Sequence, residues 1–297
     1  MSFADRVIKW KEAEVALSDV EKSGDPAALA AEFVHFGPEK EDQLISYPRA
    51  SCLYDDCMRM RVLGKIYKVT YRQWTSFRDR VTYGIGSALH YWVQNTPDVL
   101  GNRRVGWWKC RGCGNVVFFG LPPTRRCPKC GALKAALVYH EHALKIEKPL
   151  FMTGHADMFV AVKPTVFRVL EIKSITGEMF PTLAAPLIQH LWQIQSYMWA
   201  CSLDGAGLPI VIDPTVGYIM YISKKHSAKD LPVKVFPVER DDALLNRIKA
   251  KLRLFKKGYK NYPNDLPPLA SDCKRTNFDC WRAKTCPVLK QCRGAKE

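Results

Sequence analysis

Residues 153–174 of the chain read TGHADMFVAVKPTVFRVLEIKS. The β-formers on either side of Lys163-Pro164 predict two antiparallel strands that are joined by a tight turn at this dipeptide. Side chains alternate between the two faces of a strand, so Glu171 and Lys173 share one face. We place Asp157 early in the first strand and expect it to reach the same edge as Glu171 and Lys173.

Two carboxylates beside one ammonium group in an apolar hairpin indicate a site for a divalent cation. Asp157 and Glu171 repel each other and resist desolvation unless a positive charge lies between them. Mg²⁺ favours a few carboxylates together with water and phosphate oxygens. Lys173 could hold an attacking water while the metal polarises a phosphodiester. The same residues are also typical of a salt-bridged hairpin in an unrelated α/β protein.

The composition favours a folded protein with a polyanionic partner. The chain has 297 residues, of which 47% are hydrophobic, so it can bury a substantial core. Lys and Arg number 45 against 29 Asp and Glu, for a formal net charge of +16. A balance this basic is typical of nucleic-acid binding with a strong salt dependence. A ribosome-associated protein or a merely basic surface would show the same balance.

The role of the cysteines depends on whether the protein lies in a reducing or an oxidising compartment. No apolar run approaches the ~18 residues of a membrane span, so no membrane partner is expected. The N-terminal residues mix acids with bases and lack the apolar segment of a signal peptide. We therefore expect a cytoplasmic protein, in a prokaryote or from a virus in its host's cytoplasm. Disulfides are rare there, and the 11 cysteines are better explained by metal binding.

Two cysteine knuckles predict a zinc ribbon at 105–137. Each knuckle has the pattern C-x2-C-G, and 13 residues separate the two, which suits a tetrahedral four-cysteine site. The four expected zinc ligands are Cys110, Cys113, Cys127 and Cys130. A rubredoxin-like iron site, which has the same geometry and another metal, is the alternative. The basic and aromatic residues of the ribbon could grip DNA or a partner protein, or the rings could form the ribbon's own core.

Two predicted helices carry further polar residues of interest. His90 follows Gly86 by one turn on a helix predicted at 72–93, from which an imidazole could reach a metal. Gln193 and Tyr197 form a polar pair one turn apart on a helix predicted at 186–203. Each pattern by itself is weak, because a single helical His or a half-buried Tyr is commonly structural. The remaining elements are predicted helices at 1–36, 50–65 and 239–260 and predicted strands at 138–148, 215–224 and 232–237.

Taken in order, these motifs resemble the RecB-type branch of the PD-(D/E)XK nucleases, which includes the CRISPR-adaptation nuclease. The resemblance spans roughly residues 50–292. It rests on the four motifs Gly86-x3-His90, Gly154-x2-Asp157, Glu171-x-Lys173 and Gln193-x3-Tyr197. It implies an α/β restriction-endonuclease-like core, in which helices flank a mixed central sheet. The zinc ribbon lies outside the family's minimal pattern and is interpreted as an insertion.

The resemblance also implies roles for individual residues. His90, Asp157 and Glu171 would hold Mg²⁺ or Mn²⁺, with the Ile172 carbonyl as a further ligand. Lys173 would orient the nucleophilic water. Gln193 and Tyr197 would support the site and the DNA strand.

Members of this branch also close the nuclease domain with a 4Fe–4S cluster. The resemblance implies one cysteine from before the core and three from the C-terminal tail. The chosen ligands are Cys57, Cys280, Cys286 and Cys292, with Cys273 and Cys52 as alternates. The tail departs from the family's usual C-x2-C-x5-C spacing, and a second zinc site made by tail cysteines alone remains the alternative.

These observations define the expected organisation and function. We expect an N-terminal helical segment at 1–48 and a nuclease domain at 49–297, whose cysteine-rich tail begins at 263. The predicted function is a metal-dependent DNA nuclease, and more specifically an exonuclease on single strands or free ends, in recombination, repair or phage DNA processing. The alternatives are a non-catalytic zinc-ribbon DNA-binding accessory protein and a structure-specific endonuclease.

Overall fold

The computed structural model describes residues 43–71, 77–96, 100–120, 122–123, 126–225, 233–270, 273 and 284–294. The chain divides into two units. The first comprises Met1–Gln43 and Arg72–Tyr83, and its described part is Gln43 and the helical residues 77–83. The second comprises Leu44–Tyr71 and Gly84–Glu297 and holds the sheet and every residue discussed below as a site residue. The predicted helices at 1–36 lie outside the described residues.

The described part of the chain is a mixed α/β structure. Its helices are α1 (Met58–Ile66), α2 (Phe77–Asn95), α3 (Met179–Thr182), α4 (Ile188–Cys201), α5 (Asp242–Lys260) and α6 (Leu289–Gly294). Its first strands are β1 (Gln43–Leu44), β2 (Thr70–Tyr71), β3 (Arg104–Cys110), β4 (Val116–Phe119), β5 (Leu137–His140) and β6 (His142–Ile146). The later strands are β7 (Met152–Ala156), β8 (Met158–Lys163), β9 (Val166–Ile175), β10 (Val216–Ser223) and β11 (Val233–Glu239).

A seven-stranded mixed sheet forms the centre of the second unit. Its strand order is β11-β10-β9-β8-β3-β4, and β5 also pairs with β3. Strands β9 and β10 run parallel, and the segment between them, which includes α4, makes the crossover that a parallel pair requires. Strands β6 and β7 form a separate antiparallel pair. The predicted mixed sheet with flanking helices is therefore present.

Apolar side chains cover both faces of this sheet. On one face, residues of α4 and α5 pack on alternate residues of the strands, including Val169, Ile219 and Tyr221. On the other face, Val93 of α2 packs with Leu170 and Ile172. Strand β9 is thus covered on both faces, and its central residues 169–172 are all buried. As predicted, Ile172 lies on the opposite face of β9 from Glu171.

The four-cysteine ribbon and the central sheet share one strand. The N-terminal end of β3 pairs with β8 through Arg104 and Val105, whereas its C-terminal half pairs with β4 and β5 and ends at Cys110. The ribbon therefore continues the sheet. Disorder in the ribbon would release a strand of the central sheet.

Two predicted elements differ in the structure. The helix predicted at 50–65 is a short 3₁₀ turn, Ala50–Cys52, followed by α1, which begins after Cys57. The Cys57 sulfur accepts from the Met60 amide at 3.5 Å and caps the helix. The strand predicted at 138–148 is two strands, because the chain breaks at Glu141. Among the described residues, no helix is long and apolar enough to cross a membrane.

Candidate active site

Asp157 lies between β7 and β8, where the registers of two strand pairs converge. In the β8–β9 pair, Met158 faces Leu170, so the same register places the preceding Asp157 opposite Glu171. In the β6–β7 pair, His142 faces Ala156, which places Asp157 opposite Glu141. Cross-strand neighbours have Cβ atoms about 5 Å apart. The two ladders thus bring three carboxylates to one junction.

This position corrects the sequence interpretation, which placed Gly154 and Asp157 within the first strand of the hairpin. Gly154 belongs to β7, and Asp157 falls outside the named strands. The β8–β9 register also shifts between Ala161 and Lys163. Without this bulge, Asp157 would face Ile172 and lie on the opposite face from Glu171.

Helix α2 supplies two side chains to the same junction, one turn apart. His90 Nδ1 lies 3.8 Å from Asp157 Oδ1. Gln94 donates from Nε2 to the Asp157 carbonyl at 3.0 Å and to Glu141 Oε1 at 3.2 Å. Residues i and i+4 share a helix face, so the face of α2 that carries His90 and Gln94 packs against Asp157. Gln94 thereby fixes the position of Glu141 relative to Asp157.

His90, Glu141 and Asp157 form a potential metal-binding group. One ligand atom from each residue lies within 4.8 Å of the others. Burial and the nearby Asp157 carboxylate raise the pKa of Glu141. The sequence pattern indicates Glu141 only weakly, through the strand face that it would share with Tyr139.

Glu171 and Lys173 form a buried ion pair on β9. The Lys173 ammonium lies 2.5 Å from Glu171 Oε1, and the side chains are 21% and 0% exposed. Burial and the neighbouring Asp157 raise the pKa of Glu171 well above its ordinary value. Burial alone would lower the pKa of Lys173. The attraction of the negative charges of Glu171 and Asp157 is larger than this effect, so the Lys173 pKa is raised. The predicted proximity of these three groups is present in the structure.

Asp157 also contacts the backbone of β9. The Ile172 amide donates to Asp157 Oδ2 at 2.8 Å. This bond fixes the carboxylate beside the strand that carries Glu171 and Lys173. The metal-ligand role expected for the Ile172 carbonyl stays a prediction.

Helix α4 covers the site from the other face of the sheet. Gln193 donates to the Tyr197 hydroxyl at 3.4 Å, and the two residues are 6% and 2% exposed. Burial, with Glu171 and Asp157 close by, raises the Tyr197 pKa well above its ordinary value. The predicted pair therefore lies beside the carboxylates, where Tyr197 is a neutral hydroxyl.

His190, one turn before Gln193, was missed in the sequence analysis. Its Nδ1 lies 2.7 Å from the Tyr221 hydroxyl, which itself accepts from the Leu187 amide at 3.0 Å. Burial and the nearby Lys173 ammonium lower the His190 pKa to about 4. A neutral imidazole therefore lies near Lys173.

Gly154 makes room for Tyr197. A Cβ atom at this position would lie 2.8 Å from Tyr197 Cε1 and 3.0 Å from its hydroxyl. The Tyr197 ring is buried and cannot move aside without disturbing its neighbours. The glycine of the pattern Gly154-x2-Asp157 thus has a steric reason in this chain.

We expect Gly154→Ala to lower the free energy of unfolding by about 1–3 kcal/mol, the usual effect of overpacking a core. The displaced Tyr197 ring should also lower activity. Thermal denaturation and a DNA-hydrolysis assay measure the two effects. Gly84→Ala is the matched control, because Gly84 is helical, exposed and has no described atom within 4 Å of the added Cβ. It should raise stability slightly; equal losses in both variants would contradict the steric account.

The carboxylates around Asp157 suit a hard divalent cation, although Glu171 lies outside the group of His90, Glu141 and Asp157 whose ligand atoms are within 4.8 Å of one another. Glu171 Oε1 faces Lys173, but Oε2 is buried and has no hydrogen-bond partner among the described residues. Two neighbouring carboxylates share one ammonium group, and an imidazole lies 3.8 Å from one of them. An unsatisfied buried carboxylate oxygen is costly, and a cation at this point would remove the cost.

The four ribbon cysteines form a second, separate metal-binding group. Their sulfurs all lie within 4.8 Å of one another. The Cys110–Cys130 and Cys113–Cys127 sulfur pairs are each 3.7 Å apart. A tetrahedral ion with Zn–S bonds of ~2.3 Å requires S···S distances of about 3.8 Å. The backbone amides of Cys130 and Lys129 lower the pKa of Cys127 to about 7 against the effect of burial. The Ala132 amide acts to lower the pKa of Cys130, but the neighbouring sulfurs and burial raise it to about 12.

The two knuckles have the same backbone. In each, a glycine amide donates back to the first cysteine carbonyl, from Gly114 to Cys110 at 2.8 Å and from Gly131 to Cys127 at 2.9 Å. Both glycines have a φ of 71°, a conformation that favours glycine. Of the ribbon's aromatic rings, Trp108 is 3% exposed and packs with residues of the central sheet, whereas Trp107, Phe118 and Phe119 are half-buried. Contact of these half-buried rings with DNA or a partner protein stays a prediction.

A third group of cysteines lines a cavity of about 200 Å³ between α1 and the C-terminal residues. It contains Cys57, Cys286, Cys292 and the predicted alternate Cys273. Cys280, the preferred ligand in the sequence analysis, lies outside the described residues. The other alternate, Cys52, is exposed and does not line the cavity.

No family model matches the chain, and no curated protein matches it. Among solved structures, the chain is similar to the alkaline exonuclease LHK-Exo from Laribacter hongkongensis, alone and in complex with dAMP. Each comparison has a TM-score of 0.43 and 12% identity and covers 73% of this chain and 89% of that chain. The structure titled SSO0001 gives a TM-score of 0.27 and 17% identity, with 53% of this chain and 59% of that chain covered.

Proposed function

We propose that the chain is a metal-dependent nuclease that hydrolyses the phosphodiester bonds of DNA. The observation that carries the proposal is the fully buried Glu171, which lies beside Asp157 and leaves one carboxylate oxygen without a hydrogen-bond partner among the described residues. A protein that only bound DNA would gain nothing from this arrangement. The net charge of +16 supports a polyanionic substrate.

The residues that would hold Mg²⁺ or Mn²⁺ are Asp157, Glu171 and His90, with Glu141 as an addition from the structure and the Ile172 carbonyl as a further ligand. When bound, the cation supplies charge neutralisation at a phosphoryl oxygen. Carboxylate oxygens are the ligands that these hard cations prefer.

The protein's own groups would position the nucleophile and the substrate. The Lys173 ammonium, fixed by Glu171, donates a hydrogen bond to the attacking water and aims its lone pair at phosphorus. Lys173 keeps 21% side-chain exposure, so water can reach it. Gln193 and the Tyr197 hydroxyl lie beside the carboxylates and orient the strand. Because His190 is neutral, it adds no second positive charge beside Lys173, and the Lys173 ammonium is the cation that faces the reacting phosphate.

We further propose that the enzyme acts on single strands or free ends. Purified protein with Mg²⁺ should degrade linear single-stranded DNA and leave circular single-stranded DNA intact, because only the linear form has ends. Cutting of the circle would favour the structure-specific endonuclease. Tight binding of both substrates with no products, at any Mg²⁺ or Mn²⁺ concentration, would reject the nuclease and favour the non-catalytic accessory protein.

Two further metal groups complete the proposal. The ribbon would hold Zn²⁺ through Cys110, Cys113, Cys127 and Cys130, since its sulfur spacing suits one ion. The cavity at Cys57 would hold a 4Fe–4S cluster, since four cysteines around about 200 Å³ leave space for a polynuclear group.

The cluster proposal predicts the metal content of the protein. We expect one zinc and about four irons per chain, with broad absorption near ~400 nm. Cys292→Ser should lose most of the iron and keep the zinc, because a lost thiolate opens the cluster. Cys273→Ser should do the same if Cys273, rather than the predicted Cys280, is the fourth ligand. Elemental analysis and an absorbance spectrum check each variant.

Cys52→Ser is the control, because Cys52 is exposed and lies outside the cavity. It should keep wild-type iron and absorbance. Two zincs and no iron in the wild-type protein would instead establish the second zinc site.

A further inference from the structure

A basic groove lies on the surface of α5, away from the carboxylates. It has a volume of about 530 Å³ and is bounded by the C-terminal half of α5, Trp199 of α4 and the segment Pro149–Leu150. Five cationic residues line it: Lys249, Arg253, Lys256, Lys257 and Lys260. No acidic side chain of the described residues lines it.

The contacts of these cations leave most of their charge uncompensated. Lys257 pairs with Asp265 at 2.7 Å. Lys256 donates to the neutral Pro149 carbonyl at 2.6 Å, which leaves its positive charge in place. Arg253 and Lys260 are exposed and make no hydrogen bond or ion pair with a described residue.

The fold does not require this concentration of positive charge. Helix α5 is held by its buried apolar face, which includes Leu245, Ile248, Leu252 and Phe255. The helix carries seven basic residues and one acidic residue, Asp242. Of the basic residues, Lys251 is held by the carbonyls of the segment 53–56, which precedes α1. A merely solvated helix gains from alternating charges at i and i+4, whereas here Lys249, Arg253 and Lys257 are like charges at that spacing. A bound polyanion would relieve the repulsion.

Strand β7 connects the groove to the candidate active site. Leu150, in the groove wall, lies two residues before β7, and Asp157 follows its last residue. Seven residues at about 3.3 Å each set an upper limit of about 23 Å between the two positions. One nucleic-acid strand can span that distance.

We propose that the groove binds backbone phosphates of the same DNA strand that occupies the active site, several nucleotides from the cleaved bond. This inference rests on the proposed function. Trp199 is 6% exposed, so the groove offers charge rather than a stacking surface. Binding there is therefore independent of base sequence.

The test measures how affinity depends on oligonucleotide length. Fluorescently labelled oligothymidylates of 4 to 30 nucleotides are titrated with the full chain in Ca²⁺ in place of Mg²⁺, and their integrity is checked on a gel. The wild-type affinity should rise with length until one strand reaches both sites. Arg253→Gln/Lys260→Gln should bind the long oligonucleotides about 10- to 30-fold more weakly near 0.1 M salt, because each phosphate contact contributes ~0.7 to the logarithmic salt slope. Its affinity for four nucleotides should equal that of the wild type.

Two further variants separate the groove from general charge and from misfolding. Lys163→Gln/Lys290→Gln removes two exposed lysines outside the groove and should retain the wild-type length dependence. Arg253→Lys/Lys260→Arg keeps the charge and should also retain it. Equal weakening in the groove and control variants, or an unchanged salt slope in the groove variant, would overturn the inference.

Failure of the groove assignment can be distinguished from failure of the nuclease proposal. If the protein hydrolyses no DNA but shows the length dependence and loses it in the groove variant, the groove assignment holds and the nuclease proposal fails. If hydrolysis is present but the groove variant binds as the wild type does at every length, the groove assignment alone fails.

Discussion

Asp157→Asn abolishes Mg²⁺-dependent DNA hydrolysis, with an expected rate loss of at least about 10³-fold. Metal coordination contributes several kcal/mol to phosphoryl-transfer chemistry, and each 1.36 kcal/mol is tenfold in rate. Asparagine can still accept the hydrogen bond from the Ile172 amide, which Asp157 accepts at 2.8 Å. The fold should therefore persist while the charge is lost. Rates of product release from linear single-stranded DNA, with circular dichroism as a check on folding, measure the effect.

Asp213→Asn is the matched control for this substitution. Asp213 is also a partly buried carboxylate beside the sheet, and it pairs with Arg168 of β9 at 2.9 Å. It lies outside the group of His90, Glu141 and Asp157. This variant can lose some stability but should hydrolyse DNA at close to the wild-type rate. Loss of activity in both variants to the same extent would place the effect in folding rather than in the site.

Cys127→Ser should remove zinc and unfold more than the ribbon. Structural zinc contributes about 10–16 kcal/mol in small zinc domains, which is as large as the whole stability of a typical domain. Strand β3 carries Cys110 at one end and pairs with β8 at the other, so disorder in the ribbon reaches the central sheet. We expect zinc-free protein whose melting temperature falls by at least about 10 °C. Elemental analysis and thermal denaturation provide the measurement.

Cys201→Ala tests whether the effect is specific to the ribbon. Cys201 is a buried cysteine at the end of α4, and its loss leaves only a small cavity. This variant should keep its zinc and most of its stability. A Cys127→Ser protein that melts like Cys201→Ala would mean that the ribbon folds independently of the sheet.

The sequence predicted the central hairpin because its signals are local. The turn at Lys163-Pro164 and the alternation of β9 require no knowledge of distant residues. The pairing of Glu171 with Lys173 follows from the two-residue period of a strand. The sequence signals for the two knuckles of the ribbon are equally local, since the cysteine spacing and the glycines define how the four sulfurs are arranged.

The position of Asp157 could not be derived in the same way. It depends on the bulge between Ala161 and Lys163 and on the separate β6–β7 ladder. The periodicity of apolar residues reveals neither a bulge nor the point at which the chain passes from one strand pair to another. Gln94 was missed and Glu141 was only weakly indicated for a related reason, because both meet Asp157 only through long-range packing. The residues around Gly154 do not indicate that Tyr197, which is distant in sequence, lies against it.

The central claim is that His90, Asp157 and Glu171 hold a hard cation beside Lys173. Anomalous diffraction from crystals soaked in Mn²⁺ tests it most directly. The account predicts one strong peak within ~2.3 Å of a carboxylate oxygen of both Asp157 and Glu171, and no such peak in Asp157→Asn crystals treated alike. A wild-type map with no manganese at these residues, at Mn²⁺ concentrations that support hydrolysis, would contradict it.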